Sequence, residues 1–153
     1  MDTANQDKLE LTFSRTFDAP RSLVWNVWTS PEHAFHWWGP KHHPAIKTEW
    51  DARPGQRWRN CLQSVETGER LWHSGEFREV VKPERLVFTF AWEESGERGL
   101  ETLVTVVFTE RAGRTEMTLH QVPFQSLGER DGHDEGWHSS FERLGEYLRG
   151  ISI

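Results

Sequence analysis

Cysteine occurs once in the chain, at Cys61, which excludes an intramolecular disulfide framework or a zinc site built on several cysteines and fits a reducing compartment. No apolar stretch reaches signal-peptide or membrane-spanning length, and the residues before Leu11 are polar and charged. The expected location is therefore cytoplasmic, with no membrane partner. Lysine and arginine number 18 against 24 acidic residues and nowhere cluster, and a net charge of -6 argues against nucleic acids and anionic surfaces, both of which reward a basic patch. No internal repeat, low-complexity tract or linker interrupts the 153 residues, so one domain over 1–153 is expected, residues 1–8 being a frayed polar start.

Rings are what the chain has in quantity. Nine tryptophans and nine phenylalanines are too many for a disordered segment, so they are buried or they bind something.

Leu9, Leu11, Phe13 and Arg15 alternate with their neighbours as an opening strand does. Asp18-Ala19-Pro20 then offers a cap and a helix-starting proline, with Val24, Val27 and Trp28 at helical spacing. Ser30-Pro31-Glu32 repeats the signal for a second short helix through about Trp37, which Gly39-Pro40 halts. The period then changes to two over six runs, 45–51, 56–65, 71–81, 85–92, 101–111 and 114–122, broken at turn residues such as Pro54-Gly55, Lys82-Pro83 and Ala112-Gly113. From about Glu129 to Arg149 helical spacing returns, with Trp137, Phe141, Leu144 and Leu148 on one stripe. That stripe needs a partner of comparable length, and the inner face of the sheet is the candidate. The expected fold is α+β: a curved antiparallel sheet of about seven strands around a long C-terminal helix, with two short helices after the first strand.

Several phrases resemble a known family: Arg15-Thr16-Phe17-Asp18-Ala19-Pro20 with Val24-Trp25, Thr29-Ser30-Pro31-Glu32 before Trp37-Trp38-Gly39-Pro40, and Asp51-Ala52-Arg53-Pro54-Gly55. Gly75-Glu76-Phe77, Pro83-Glu84-Arg85-Leu86-Val87, Thr115-Glu116-Met117-Thr118-Leu119 and Gly136-Trp137 continue the match over nearly the whole chain. The family is the START-related SRPBCC superfamily, in the branch resembling the activator of heat-shock-protein ATPase homologue domain. The resemblance implies the helix-grip fold, but it leaves function open: members bind lipids, polyketides and other apolar molecules, some are cyclases or hydrolases, and others have no known ligand. A chaperone partner, implied by the branch name, belongs to longer proteins with additional domains. One departure is Gly55-Gln56, where many relatives have two glycines.

Strand parity separates inner from outer positions. Trp58, Asn60 and Leu62 fall inside, as do Leu71, His73, Gly75 and Phe77, where the glycine leaves space. Leu86, Phe88, Phe90 and Trp92, then Val104, Val106 and Phe108, then Thr115, Met117 and Leu119 follow the same rule, and Cys61 faces outward. The terminal helix adds Trp137 and Phe141, with His133 one turn earlier at the mouth, while Phe35 and Trp38 close the other end. Apolar walls with a few polar groups, Asn60, His73 and Gln121, describe a small-molecule pocket, against the alternative of an ordinary filled core.

The expected function is binding of a small hydrophobic molecule, with Asn60 and His73 orienting it. A cyclase- or hydrolase-type enzyme with His73 as acid or base and Asn60 as oxyanion donor is the first alternative. The second is a protein-interaction domain, a homodimer or chaperone accessory, contacting its partner through exposed Trp37 and Trp38. No metal or cofactor is expected: His33, His36, His42 and His43 lack the spacing of a converging set, and the glycine turns have no phosphate-cradle pattern. Asp134 and His138 face each other as a pair, and Ser139, Ser140 and Cys61 carry no activating motif.

Overall fold

The computed structural model of the chain describes residues 9–151, so the expected frayed start at 1–8 lies outside it. Strand β1 (Leu11–Phe17) is followed by helices α1 (Arg21–Thr29) and α2 (Pro31–Trp37). Strands β2 (Ala45–Glu49), β3 (Arg57–Gln63), β4 (Arg70–Val81), β5 (Arg85–Glu94), β6 (Glu97–Arg98), β7 (Thr102–Arg111) and β8 (Arg114–Val122) come next, and helix α3 (Leu127–Ile151) closes the chain. The sheet runs β1-β8-β7-β5-β4-β3-β2, antiparallel throughout, curved and unclosed. An eighth, two-residue strand escaped the alternation pattern: β6 folds back on the end of β5 through the Ser95-Gly96 turn.

Helix α3 lays Trp137, Phe141, Leu144 and Leu148 against the inner face of the sheet, all at most 6% exposed. That stripe repeats every three or four residues, so one face of the helix is removed from water while Glu135, Glu142 and Glu146 stay outside. Helices α1 and α2 fill the remaining part of the concavity. Trp28 lies at its centre, its ring centroid 4.9 Å from Trp37, 5.9 Å from Phe141 and 6.3 Å from Phe88. The indole nitrogens are satisfied within the protein, Trp28 Nε1 donating to Met117 Sδ at 3.3 Å, Trp37 Nε1 to the Val27 carbonyl and Trp50 Nε1 to the Trp28 carbonyl.

Three local expectations are corrected. Asp18 does not cap α1: Pro20 holds the N-cap position, and the Arg21 N–H donates instead to the Glu110 carboxylate across on β7, at 2.6 Å. Parity along β4 holds only as far as Phe77, because a bulge between Phe77 and Glu79 returns Val80, opposite Leu86, to the inner side. Trp37 and Trp38, expected as exposed rings, are 0% and 3% exposed. The turn at Gly55-Gln56 shows why the second glycine is dispensable: Gly55 alone takes a positive φ, and Gln56 pairs its backbone with Phe77.

Candidate functional site

The C-terminal end of α2 is held by α3. The Arg143 guanidinium donates to the carbonyls of His36 at 3.0 Å, Trp38 at 3.1 Å and Gly39 at 2.7 Å, satisfying acceptors that a helix end leaves without partners. Burial lowers the Arg143 pKa, with Glu146 opposing. This grip fixes the Trp38 indole, whose Nε1 donates to His73 Nε2 at 2.8 Å. At the other end, Ser126 Oγ accepts the Glu129 N–H at 3.1 Å and the Glu129 carboxylate accepts the Gln125 N–H at 3.3 Å, a capping arrangement that starts α3.

Between the first half of α3 and the inner faces of β3, β4 and β5 lies a cavity of about 380 Å³. Its sheet side is Leu62, Leu71, His73, Phe90 and Trp92, and the loop after α2 contributes Trp38, Gly39, Pro40 and His43. The helix side is Gly128, Gly132, Gly136 and Ser140, one every fourth residue, together with Glu129, His133 and Trp137. The walls turn their polar atoms inward. Trp92 Nε1 donates to His133 Nε2 at 3.1 Å, Trp137 Nε1 to Gln121 Oε1 at 2.8 Å, and Ser140 Oγ to the Gly136 carbonyl at 2.8 Å. Gln121 is pinned in turn, its Nε2 donating to Thr102 Oγ1. What the cavity presents is chiefly ring faces. A second, more polar cavity of about 410 Å³ adjoins it, sharing Phe90, Trp92, Glu129 and His133 and bordered by Glu94, Glu97 and Arg98.

Of the residues expected to line a pocket, the structure brings together Trp38, His73, Phe90, His133 and Trp137. Trp58, Phe77, Phe88, Met117, Leu119 and Phe141 lie in the filled part of the concavity, packed against one another and against α1. Asn60 is buried outside the cavity lining, where its Oδ1 accepts the Glu49 N–H at 3.1 Å and ties down the edge strand β2. Phe35 points away from the interior and is 40% exposed. Gly75 leaves no space for a ligand either, since a Cβ there would meet the Thr89 carbonyl. The helix glycines went unread because the apolar stripe draws attention to Trp137 and Phe141, although their spacing of four places them on one face. Cys61 is fully buried despite its outward parity, and burial pushes its thiol pKa up.

Both cavity imidazoles are neutral. Burial lowers the His73 pKa from 6.5 to about 3, outweighing the nearby Leu71 backbone, which favours the charged ring without reaching hydrogen-bond geometry. Burial likewise lowers that of His133 to about 4. With its Nε2 lone pair occupied by Trp38 and its Nδ1 sealed from solvent without a partner, His73 is not placed to accept a proton from a ligand.

A pH dependence of stability follows. The unfolded imidazoles take up protons near pH 6.5, whereas the folded ones do so only near 4 and 3. The unfolded state therefore binds more protons in that window, and stability falls on acidification by about 1.4 kcal/mol per pH unit for each ring. Thermal melts from pH 7 to pH 5 are expected to show this loss, and His73→Gln or His133→Gln to flatten it. Equal melting temperatures at pH 7 and pH 5 for the unaltered protein would contradict the buried neutral state.

A curved, unclosed antiparallel sheet gripping a long C-terminal helix over a ring-lined cavity defines a START/SRPBCC-type helix-grip domain. The chain belongs to the family described as activator of Hsp90 ATPase homolog 1-like protein, whose model matches residues 18–149. Solved structures agree with the fold. An AHSA1 protein from Silicibacter pomeroyi superposes with a TM-score of 0.84 at 24% identity, over 92% of this chain and 97% of its own. A Nitrosomonas europaea protein gives 0.80 at 26% identity, over 95% and 97%, and a Mycobacterium smegmatis protein 0.80 at 25%, over 95% and 94%. No curated protein matches the chain. Among the described residues, no helix is long and apolar enough to cross a membrane, and no group of three His, Cys, Asp or Glu side chains converges as metal ligands do.

Proposed function

We propose that this domain binds a small, largely apolar molecule between the sheet and the first half of α3. The observation that carries this reading is the bare face of the helix. Gly132 and Gly136 have no atom within 4 Å of where a Cβ would sit, and Gly128 has only Ser126 Oγ, at 3.9 Å, so packing does not demand glycine at these positions. Each glycine in a helix costs about 1 kcal/mol relative to alanine, and the three face the cavity together. What the missing side chains provide is space, bounded by Phe90 and by Trp38, Trp92 and Trp137, whose indole N–H groups donate to His73, His133 and Gln121.

The acid–base alternative loses its candidate in His73, and the protein-interaction alternative loses the exposed surface it needed at Trp37 and Trp38. Equilibrium dialysis against 2-isopropylnaphthalene tests the binding reading. Saturable uptake of one molecule per chain is expected, and uptake no greater than that of an unrelated protein of similar size would overturn it.

A further inference from the structure

We infer that the occupant of the cavity carries an uncharged hydrogen-bond acceptor, such as a ketone, ester or quinone oxygen, held by His133, because two indole–imidazole hydrogen bonds lock the cavity histidines into donor-only tautomers. This rests on the binding function proposed above. An indole N–H donates and never accepts. Trp38 Nε1 meets His73 at Nε2 and Trp92 Nε1 meets His133 at Nε2, so in each ring Nε2 is the unprotonated acceptor. A neutral imidazole so engaged carries its proton on Nδ1, and a charged one would set N–H against N–H. Both rings thus have one polar atom left, and in both it is a donor.

Among the described residues neither donor has a hydrogen-bond acceptor: His73 Nδ1 is buried without a partner, and the hydrogen bond that His133 makes is through Nε2. His133 is the more reachable of the two, being half-buried on the wall shared by the apolar and the polar cavities. A ligand ring lying against Phe90 and Trp137 can present an oxygen there. The charges around the site decide which oxygen. Glu129 borders both cavities, Glu94 and Glu97 border the second, and among the described residues that line them the one guanidinium, Arg98, is tied to Glu101 at 3.0 Å and to Ser74. An anionic acceptor would meet repulsion without a cation to offset it, whereas a neutral carbonyl oxygen would not.

Two measurements test the inference. Long-range ¹H–¹⁵N spectra of the unliganded protein at pH 7 are expected to show both His73 and His133 as neutral Nδ1–H tautomers. An Nε2–H or doubly protonated ring at either position would overturn it. Dialysis with 2-acetylnaphthalene and with its hydrocarbon counterpart 2-isopropylnaphthalene then separates the contributions. His133→Phe is expected to weaken the ketone about fivefold and to leave the hydrocarbon within twofold, the size of one net hydrogen bond. In the unaltered protein the ketone, and not the hydrocarbon, is expected to shift the His133 Nδ1–H resonance, a readout that does not depend on the variant folding. 2-Naphthoate is expected to bind more weakly than the ketone. Equal losses for ketone and hydrocarbon, or an unmoved Nδ1–H signal, would overturn the acceptor inference while the cavity reading stands. Failure of both neutral probes to bind would remove the cavity reading and this one with it.

Discussion

Replacing Gly132 by leucine is expected to weaken ligand binding by one to two orders of magnitude while leaving the fold at least as stable as before. A Cβ at this position meets nothing within 4 Å, so the substitution does not collide with the protein. It also removes a glycine from the interior of a 25-residue helix, a gain of about 0.8 kcal/mol on propensity alone. The rest of the leucine side chain enters a space of about 380 Å³ that Trp38, Phe90 and Trp137 also line. A probe that must now compete with it loses contact on one side and meets overlap on the other. Overpacking of this kind costs about 2 to 3 kcal/mol, or roughly 30- to 150-fold in affinity.

Dialysis of 2-isopropylnaphthalene against the variant measures the first effect, and a thermal melt the second. Gly150→Ala supplies the control, since Gly150 also has open space at its Cβ position but lies in the last turn of α3, away from the cavity. It should leave uptake unchanged. If Gly132→Leu binds the probe as well as the unaltered protein does, the ligand sits elsewhere.

Why the cavity lies at this end of the concavity and not along its whole length was only partly legible in the sequence. Parity correctly named an inner face, and the spacing of Trp137, Phe141, Leu144 and Leu148 correctly named the helix that covers it. Neither signal carries depth. Two short helices intervene, and Trp28 and Trp37 bring enough ring volume to fill the part of the concavity above Phe88, Met117 and Phe141. Inner residues there are core, whereas those beyond Trp38 face a space left bare by glycines. Alternation also cannot see a bulge, which is why Val80 changes side, nor can it see cover on the outer face. Val87 and Ala91 on β5 are 3% and 1% exposed although their parity points away from α3. The Trp38–His73 and Trp92–His133 bonds join residues 35 and 41 positions apart, and no local pattern announces them.

The same blindness to close approach makes Gly75 the position where a one-methyl change should do the most harm. Gly75 lies opposite Trp58 in the β3–β4 ladder, and the Trp58 indole crosses over it to donate Nε1–H to the Thr89 carbonyl on β5, at 3.0 Å. A Cβ on residue 75 would strike that carbonyl and come within 2.6 Å of the indole nitrogen. The backbone has little freedom to retreat, because β4 is paired with β3 at Gly75 itself and with β5 on either side of it, at Ser74 and Phe77. Relief therefore requires β5 to shift away at Thr89 and the indole to be displaced as well. Trp58 is 2% exposed, with its ring 5.1 Å from Trp50 and 5.7 Å from Phe90, so its departure opens the core and orphans a buried carbonyl. Gly75→Ala is expected to cost about 3 to 5 kcal/mol, which for a domain of this size is a fall in melting temperature of roughly 10 °C or more. Urea titration would show the loss as a lower midpoint. The opposite result, a melting temperature within about 2 °C of the unaltered protein together with weakened probe binding, would mean that residue 75 borders the ligand and that Trp58 and Thr89 do not close over it.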